Sequence, residues 1–151
     1  MKHLFKTWQL DSTLARDTLP VLDHDLWQTR LVRDRRWPWM MMVPKVAGAE
    51  DLDDLPLGVQ STLFQEAARI SQTMKAISDP PLLKTNIGAL GNVVRQFHLH
   101  IVGRREGDPN WPGPIWGFGA AIDYEAGPDD GPDMGEAHLF IQAFQAAHPK
   151  I

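Results

Sequence analysis

Two histidines, His98 and His100, stand one residue apart in the segment "RQFHLHIV", residues 95 to 102. Alternate side chains of a β-strand share a face, so Gln96, His98 and His100 are expected to point one way. The apolar residues between them would then pack into the core on the opposite face. A neutral imidazole is a competent nucleophile or metal ligand near neutral pH. The spacing therefore predicts a polar face that can do chemistry.

The residue types alone leave three interpretations of this pair open. Both rings can lie on the solvent-facing side of an edge strand without any function. They can also bind one metal ion, since two imidazoles on one strand face reach a common point. A metal site needs further ligands, but the other histidines fall near the N-terminus or on the predicted C-terminal helix: His3, His24, His138 and His148. We therefore predict no bound metal, and the third interpretation is catalytic.

The segments that flank the pair favour an anionic ligand. The turn "ALGN", residues 89 to 92, precedes the predicted strand, and Arg104 and Arg105 follow it. Backbone amides of glycine turns and guanidinium groups both bind anions. The flanks therefore predict anion binding beside the histidines.

The overall composition is that of a globular protein, with 43% hydrophobic and 23% charged residues among 151. This length fits a single domain, which we predict to span residues 1–151. The formal net charge of −4 gives no overall attraction for nucleic acids or anionic membranes. No apolar stretch resembles a signal peptide or a membrane span, and the lack of cysteine excludes disulfide and thiolate chemistry. We expect a cytoplasmic protein with no membrane or nucleic-acid partner.

The elements that must position the histidines are predicted from periodicity and turn residues. Good N-cap residues predict a short helix over residues 11 to 17. Strands are predicted over residues 24 to 32, 39 to 45, 82 to 90 and 93 to 103. Apolar residues at spacings of three and four predict a long helix over residues 57 to 78 and another within 132 to 148. This order predicts an α+β fold with an antiparallel sheet, and Trp37 and Trp39 are expected in its core.

The segment "NVVRQFHLHIV" resembles the active-site strand of the histidine triad (HIT) superfamily, in which three histidines alternate with apolar residues. Here Gln96 stands at the first position of the triad. "WMMMVPK" is similar to an earlier strand of that family, "LLKTNIGALGN" to its strand and glycine turn before the triad, and "WPGPIWG" to its tryptophan-proline segment after it. The resemblance covers about residues 20–117 and is strongest to bacterial members with glutamine first. It implies a HIT-like antiparallel sheet of about five strands, one long helix and a C-terminal helical extension at about 132–148.

The same resemblance implies a nucleotide hydrolase or nucleotidyl transferase. In the family the middle histidine, here His98, attacks the α-phosphorus of a purine nucleotide conjugate and forms a covalent nucleotidyl-histidine that water resolves. The backbone carbonyl at Gln96 would hold one nitrogen of that ring, and His100 would bind the phosphate or assist the leaving group. The implied substrates are adenosine phosphoramidates and dinucleoside polyphosphates. No cofactor is expected. The resemblance also implies a homodimer.

Binding residues around the histidines are also implied by the resemblance. Positions that match phosphate contacts are Asn86, Gly91 and Asn92. Asp34 matches the residue that takes the ribose hydroxyls, and Trp111 and Trp116 would close the site. Aspartates in turns and tryptophans in Pro/Gly-rich loops also occur for purely structural reasons, so both interpretations stay open for these three residues.

Three positions depart from the family pattern. Gln96 replaces the first triad histidine, and Val93 stands at the usual phosphate-binding serine. After "VPK", many members carry a further active-site histidine, where this chain has Val46, Ala47 and Gly48. These departures give the alternative hypotheses of a different substrate or of nucleotide binding with little turnover.

Overall fold

The computed structural model describes residues 7–124 and 135–150. Five strands form one antiparallel sheet: β1 (Thr18–Asp23), β2 (Trp27–Val32), β3 (Trp39–Pro44), β4 (Lys84–Gly88) and β5 (Leu99–Arg104). Their spatial order is β1-β2-β3-β5-β4. The helices are α1 (Ser12–Asp17), α2 (Leu57–Ile77) and α3 (Glu136–Ala147), and a 3₁₀ turn covers Leu52–Asp54. The predicted α+β fold, with its long helix and C-terminal helix, is confirmed; residues 132–134 of the predicted C-terminal helix lie outside the described residues.

Helix α2 packs on one face of the sheet and makes the main apolar core. The residues that give it its helical periodicity are fully buried: Leu63, Ala67, Ile70 and Met74. They meet side chains of the sheet that include Leu31, Met40, Met42, Leu99 and Ile101. Helix α3 adds Ala137 and Phe144 to the same core. Because α2 and α3 share this side, the other face of the sheet is left for different segments.

The opposite face of the sheet carries two smaller apolar clusters. The N-terminal segment and α1 supply Trp8, Leu10 and Leu14 to one of them, against Met41 and Val43. The other contains Trp37, Val102 and Ile115, with Trp39 and Trp116 packed against it. His100 pairs with Met41 across the ladder from β3 to β5 and contacts Trp116, so it lies between the two clusters.

Strand β1 was not predicted from the sequence, and the strand predicted over residues 24–32 is shorter, at Trp27–Val32. Pro20 lies inside β1, and the register with β2 shifts between Pro20 and Leu22. A proline is tolerated in an edge strand because its missing N–H faces away from the ladder. β1 is such an edge strand, which becomes evident only once the neighbouring strand is in place.

The strand predicted over residues 93–103 begins later than expected, at Leu99. The predicted glycine-containing turn is part of a longer connection than expected, since residues 89–98 all lie between β4 and β5. The backbone N–H of Phe97 donates to the carbonyl of Ala49 at 2.9 Å, which holds the end of this connection outside the ladder. Gly91 within it has a φ of +66°, a conformation that favours glycine. His98 thus stands at the last position before β5.

Candidate active site

The ring of His98 is oriented by the backbone at the first triad position. Its Nδ1 lies 2.7 Å from the carbonyl oxygen of Gln96. A carbonyl only accepts hydrogen bonds, so Nδ1 must carry the proton and Nε2 keeps its lone pair. His98 is 7% exposed. Phe97 and Leu99 on either side are buried in the core, as the alternation predicted. His98 therefore presents a nucleophilic nitrogen on a fixed ring.

The second ring, His100, lies against the first at a centroid distance of 4.9 Å and an interplanar angle of 81°. Trp39 donates its indole N–H to Nδ1 of His100 at 2.9 Å. Burial, and secondarily the neighbouring His98, lower the pKa of His100 to about 3. His100 is therefore neutral in ordinary buffers. Trp37 is in the core as expected, whereas Trp39, also expected there, is a partner of the site.

A cleft of about 410 Å³ opens beside His98. One wall is the connection after β4, from Ile87 to Gly91, and another is Phe64 of α2. The third wall is the loop after β3, with Glu50, Asp51 and Asp53. The cleft has room for a small ligand, and its walls combine apolar side chains, glycine backbone and acidic groups.

A comparison with protein-family models matches the chain to the HIT domain over residues 16–107. Among solved structures, a histidine triad protein from Sinorhizobium meliloti is 40% identical, with a TM-score of 0.83 over 93% of this chain and 97% of that one. One from Bradyrhizobium japonicum is 34% identical, with a TM-score of 0.84 over 95% and 99%. This chain belongs to the HIT family. A comparison with curated proteins finds no match. HIT proteins are generally nucleotide-binding hydrolases and transferases.

Two of the three departures from the HIT pattern, at Gln96 and after β3 at Ala47 and Gly48, lie together beside the N-terminal segment. The side chain of Gln96 accepts from the backbone N–H of Asp11 and donates to the carbonyl of Gln9, both at 2.8 Å. Gln96 also lines a pocket of about 280 Å³ with Trp8 and Ala47, and Gly48 borders the same pocket. The first triad position thus holds the N-terminal segment in this HIT protein, a role that the sequence pattern did not reveal.

The ribose-binding residue expected from the HIT resemblance, Asp34, is 1% exposed and already has partners. Its two carboxylate oxygens accept from Arg36, at 2.9 Å from Nε and 2.7 Å from Nη2. Asp34 lines a second cleft, of about 510 Å³, together with Val32 and Trp39. Trp39 therefore joins this cleft to His100, and a ribose contact at Asp34 remains a prediction.

The basic pair at the end of β5, Arg104 and Arg105, does not form the anion site that its sequence suggested. Arg104 is 1% exposed, and its guanidinium donates to Asp108 at 2.7 Å, to Asn86 at 2.8 Å and to the carbonyl of Gly113 at 2.7 Å. Arg105 donates to the carbonyl of Pro80. Arg104 is therefore a brace that holds the loop after β5 against the sheet. Asn86 is part of that brace, and its expected contact with phosphate is untested.

The two loop tryptophans differ in position. The ring of Trp111 lies over the guanidinium of Arg104, at 5.5 Å. The ring of Trp116 lies 5.7 Å from that of His100 and packs against Gly88, where a Cβ atom would stand 3.5 Å away. Trp116, rather than Trp111, is thus the aromatic wall of the histidine pair.

The remaining predicted phosphate contacts lie on the connection after β4. Gly91 borders the cleft beside His98, and Asn92 is exposed. Val93, at the position of the usual serine, is 94% exposed. The structure thus places one of these three positions directly on the cleft.

Within residues 7–124 and 135–150, no three His, Cys, Asp or Glu side chains converge as they would around a metal ion. His24 stacks on Trp27 at 4.2 Å, and His148 is held by Glu66 and Thr73. In the same parts of the chain, no helix has the length and apolar character needed to cross a bilayer.

Proposed function

We propose that this HIT protein hydrolyses or transfers nucleotides by attack of His98 on the α-phosphorus of a purine nucleotide conjugate. The supporting observation is the 2.7 Å contact between Nδ1 of His98 and the Gln96 carbonyl, which leaves the Nε2 lone pair for attack. The carbonyl also stabilises the positive charge that the ring acquires when Nε2 is substituted. The side chain at position 96 is not needed for this role, so glutamine can replace histidine there.

The reaction takes place in two displacements. The Nε2 lone pair forms a bond to phosphorus while the bond from phosphorus to the leaving group breaks, and the departing atom takes up a proton from water. A second water then attacks the nucleotidyl-histidine, the P–N bond breaks, and His98 recovers its lone pair. Hydrolysis therefore yields a nucleoside monophosphate and the protonated leaving group.

The acidic wall of the cleft favours an amine leaving group. Glu50, Asp51 and Asp53 line the same cleft as His98. Arg95 pairs with Glu50 and the Asp51 side chain caps the 3₁₀ turn, so Asp53 is the acidic residue on which the argument mainly rests. Carboxylates attract a cationic amine and repel the several negative charges of a polyphosphate. We therefore propose a phosphoramidate conjugate as the substrate, in preference to a dinucleoside polyphosphate.

A trapping experiment tests the nucleophile. The protein is mixed with an adenosine phosphoramidate, quenched in denaturant at alkaline pH, and its mass is measured by intact-protein and peptide mass spectrometry. A nucleotidyl adduct on the peptide that contains His98 is expected, and it should be absent in His98→Asn and present in His24→Asn. Purine-nucleotide binding without adduct or turnover would instead support the alternative, a nucleotide-binding protein with little turnover.

A substrate comparison tests the acidic wall. We expect a higher kcat/KM for an adenosine phosphoramidate of a lysine-like amine than for one of an uncharged amine. Asp53→Asn should reduce that preference, and Asp25→Asn, on the exposed turn before β2, should leave it unchanged. Equal kcat/KM values for both amines would remove the argument for a cationic leaving group.

We also propose a homodimer, as expected for a HIT protein, formed through strand β4. Of the two edge strands, β1 contains Pro20 and a register shift, which disfavour further pairing, whereas β4 is regular. Ile87 on β4 is 43% exposed and Phe64 on α2 is 44% exposed, so apolar surface adjoins this edge. Light scattering should give a dimer mass for the parent and for Leu26→Glu, and a monomer mass for Ile87→Glu. A monomeric parent would overturn this assembly.

A further inference from the structure

The contact between Trp39 and His100 determines which nitrogen of His100 carries the proton. The indole Nε1 of Trp39 lies 2.9 Å from Nδ1 of His100. An indole N–H can only donate, so Nδ1 must accept and cannot be protonated while the contact exists. The single proton of the neutral ring is then on Nε2.

We propose that Trp39 is a positioning residue that holds His100 as the neutral tautomer protonated at Nε2. In this form His100 donates a hydrogen bond to a phosphoryl oxygen of the substrate and transfers no proton. The substrate part of this inference rests on the proposed function, whereas the tautomer is a property of the free protein.

The surroundings of His100 oppose its protonation. Met41 pairs with it from β3, Gly88 pairs with it from β4, and Trp116 packs against it from the loop after β5. Among these described neighbours and Trp39, none carries a charge, and His98 is the one titratable group in ring contact. Protonation at Nδ1 would set one N–H against another, and burial lowers the pKa of His100 to about 3. The neutral form therefore persists to acidic pH.

The two histidines consequently have opposite tautomers, which suits a division of roles. His98 is protonated at Nδ1 and offers a lone pair at Nε2, whereas His100 offers an N–H at Nε2. Donation of that hydrogen bond stabilises the negative charge on the phosphoryl oxygens during attack. His100 cannot protonate the leaving group, because loss of its only proton would leave an imidazolate. Water supplies that proton instead.

Nitrogen-15 NMR of the uniformly labelled free protein tests the tautomer directly. At pH 7 we expect the His100 ring to show an unprotonated Nδ1 and a protonated Nε2, and His98 to show the reverse. Trp39→Phe keeps an aromatic ring but removes the N–H, so His100 should become a mixture of tautomers. Trp116→Phe, which changes the other aromatic neighbour, should keep the parent pattern.

Turnover provides a second readout. Trp39→Phe should lower kcat about ten-fold, comparable with other residues that orient a histidine through one nitrogen. The parent kcat should show no ionisation of His100 between pH 5 and pH 9, because burial keeps the ring neutral.

Each result bears separately on the two proposals. A protonated Nδ1 on His100 in the parent protein, or an unchanged tautomer in Trp39→Phe, would overturn the role of Trp39. If Trp39→Phe does not fold, the parent spectrum still decides the tautomer. Failure to trap a nucleotidyl adduct on His98 would remove the proposed function without changing the NMR result.

Discussion

Histidines occupy two regions of this molecule with different consequences. At the candidate active site, His98 and His100 each contact an uncharged partner through Nδ1: the Gln96 carbonyl and the Trp39 indole. Between α2 and α3, His148 uses both ring nitrogens, and one partner is a carboxylate. The first arrangement leaves one nitrogen of each ring for a ligand, and the second leaves none.

The His148 region is a closed network. Nε2 of His148 lies 2.7 Å from Glu66, and Nδ1 lies 2.8 Å from the hydroxyl of Thr73. Arg69 donates to the other carboxylate oxygen of Glu66 at 3.0 Å, and Phe144 stacks on the imidazole at 4.9 Å. Glu66, Thr73 and His148 are all buried. The hydrogen bonds among these side chains connect the end of the C-terminal helix to α2. His148 is therefore a structural residue.

The largest expected effect separates the two regions by activity. His98→Asn should lower turnover of an adenosine phosphoramidate by about 10⁴-fold or more, because the nucleophile is lost. His148→Asn should leave kcat unchanged, because His148 lies away from the cleft. Steady-state hydrolysis measures both. Parent-like turnover in His98→Asn would contradict the proposed roles.

The second effect separates the regions by stability. His148→Ala should lower the free energy of unfolding by about 3 kcal/mol, because it leaves Glu66 buried without one of its partners. Urea unfolding followed by tryptophan fluorescence measures this loss. Leu139→Ala, at an exposed position on the same helix, should change it by less than about 0.5 kcal/mol. A loss below about 1 kcal/mol in His148→Ala would show that the network is dispensable.

The third effect concerns acid stability. The pKa of His100 is about 3 in the folded protein and that of a histidine is about 6.5 when unfolded, so between these values the unfolded chain binds the extra proton. The free energy of unfolding should therefore fall as the pH drops below about 6.5, with a contribution of about 2 kcal/mol from His100 at pH 5. His100→Gln should reduce this slope in urea titrations at several pH values. Identical slopes would refute a buried neutral His100.

The smallest effect tests whether position 96 acts through its backbone. Gln96→Ala removes two hydrogen bonds to the N-terminal segment and should cost about 1 kcal/mol. Amide exchange at Asp11 should accelerate, whereas kcat should change little because the carbonyl that orients His98 remains. Gln9→Ala is the matched control, since only the backbone of Gln9 takes part in the contact. A large loss of kcat with normal amide exchange would assign the Gln96 side chain to the chemistry.

Periodic patterns predicted the elements that bury a continuous apolar face. Helix α2 and the core side of β5 follow this rule, because burial depends directly on the spacing of apolar residues. The patterns failed for β1 and for the start of β5. Pro20 is tolerated because β1 is at an edge. The residues before Leu99 lie outside the ladder, where the N–H of Phe97 donates to the carbonyl of Ala49. Both facts depend on residues distant in sequence.

The same distinction applies to the candidate site. The alternation of Phe97, His98 and Leu99 placed the reactive ring on the correct face, since side-chain direction is a local property of extended backbone. Trp39 was assigned to the core because its apolar character is visible in the sequence. The partner of its indole N–H, His100, is 61 residues away and is not visible there. Arg104 was expected to bind an anionic ligand, but its guanidinium is already hydrogen-bonded to the carboxylate of Asp108.

The sequence by itself determined the family, the main core and the pairing of two histidines on one polar face, because these follow from residue type and spacing. The tertiary structure decided the protonation of His100, since that depends on whether an acceptor or a donor faces its Nδ1. It also decided that the Gln96 side chain holds the N-terminal segment. The contact of the Gln96 carbonyl with His98 spans two residues and was expected from the family resemblance. Hydrogen-bond partners separated by tens of residues have no periodic signal, so only the folded chain reveals them.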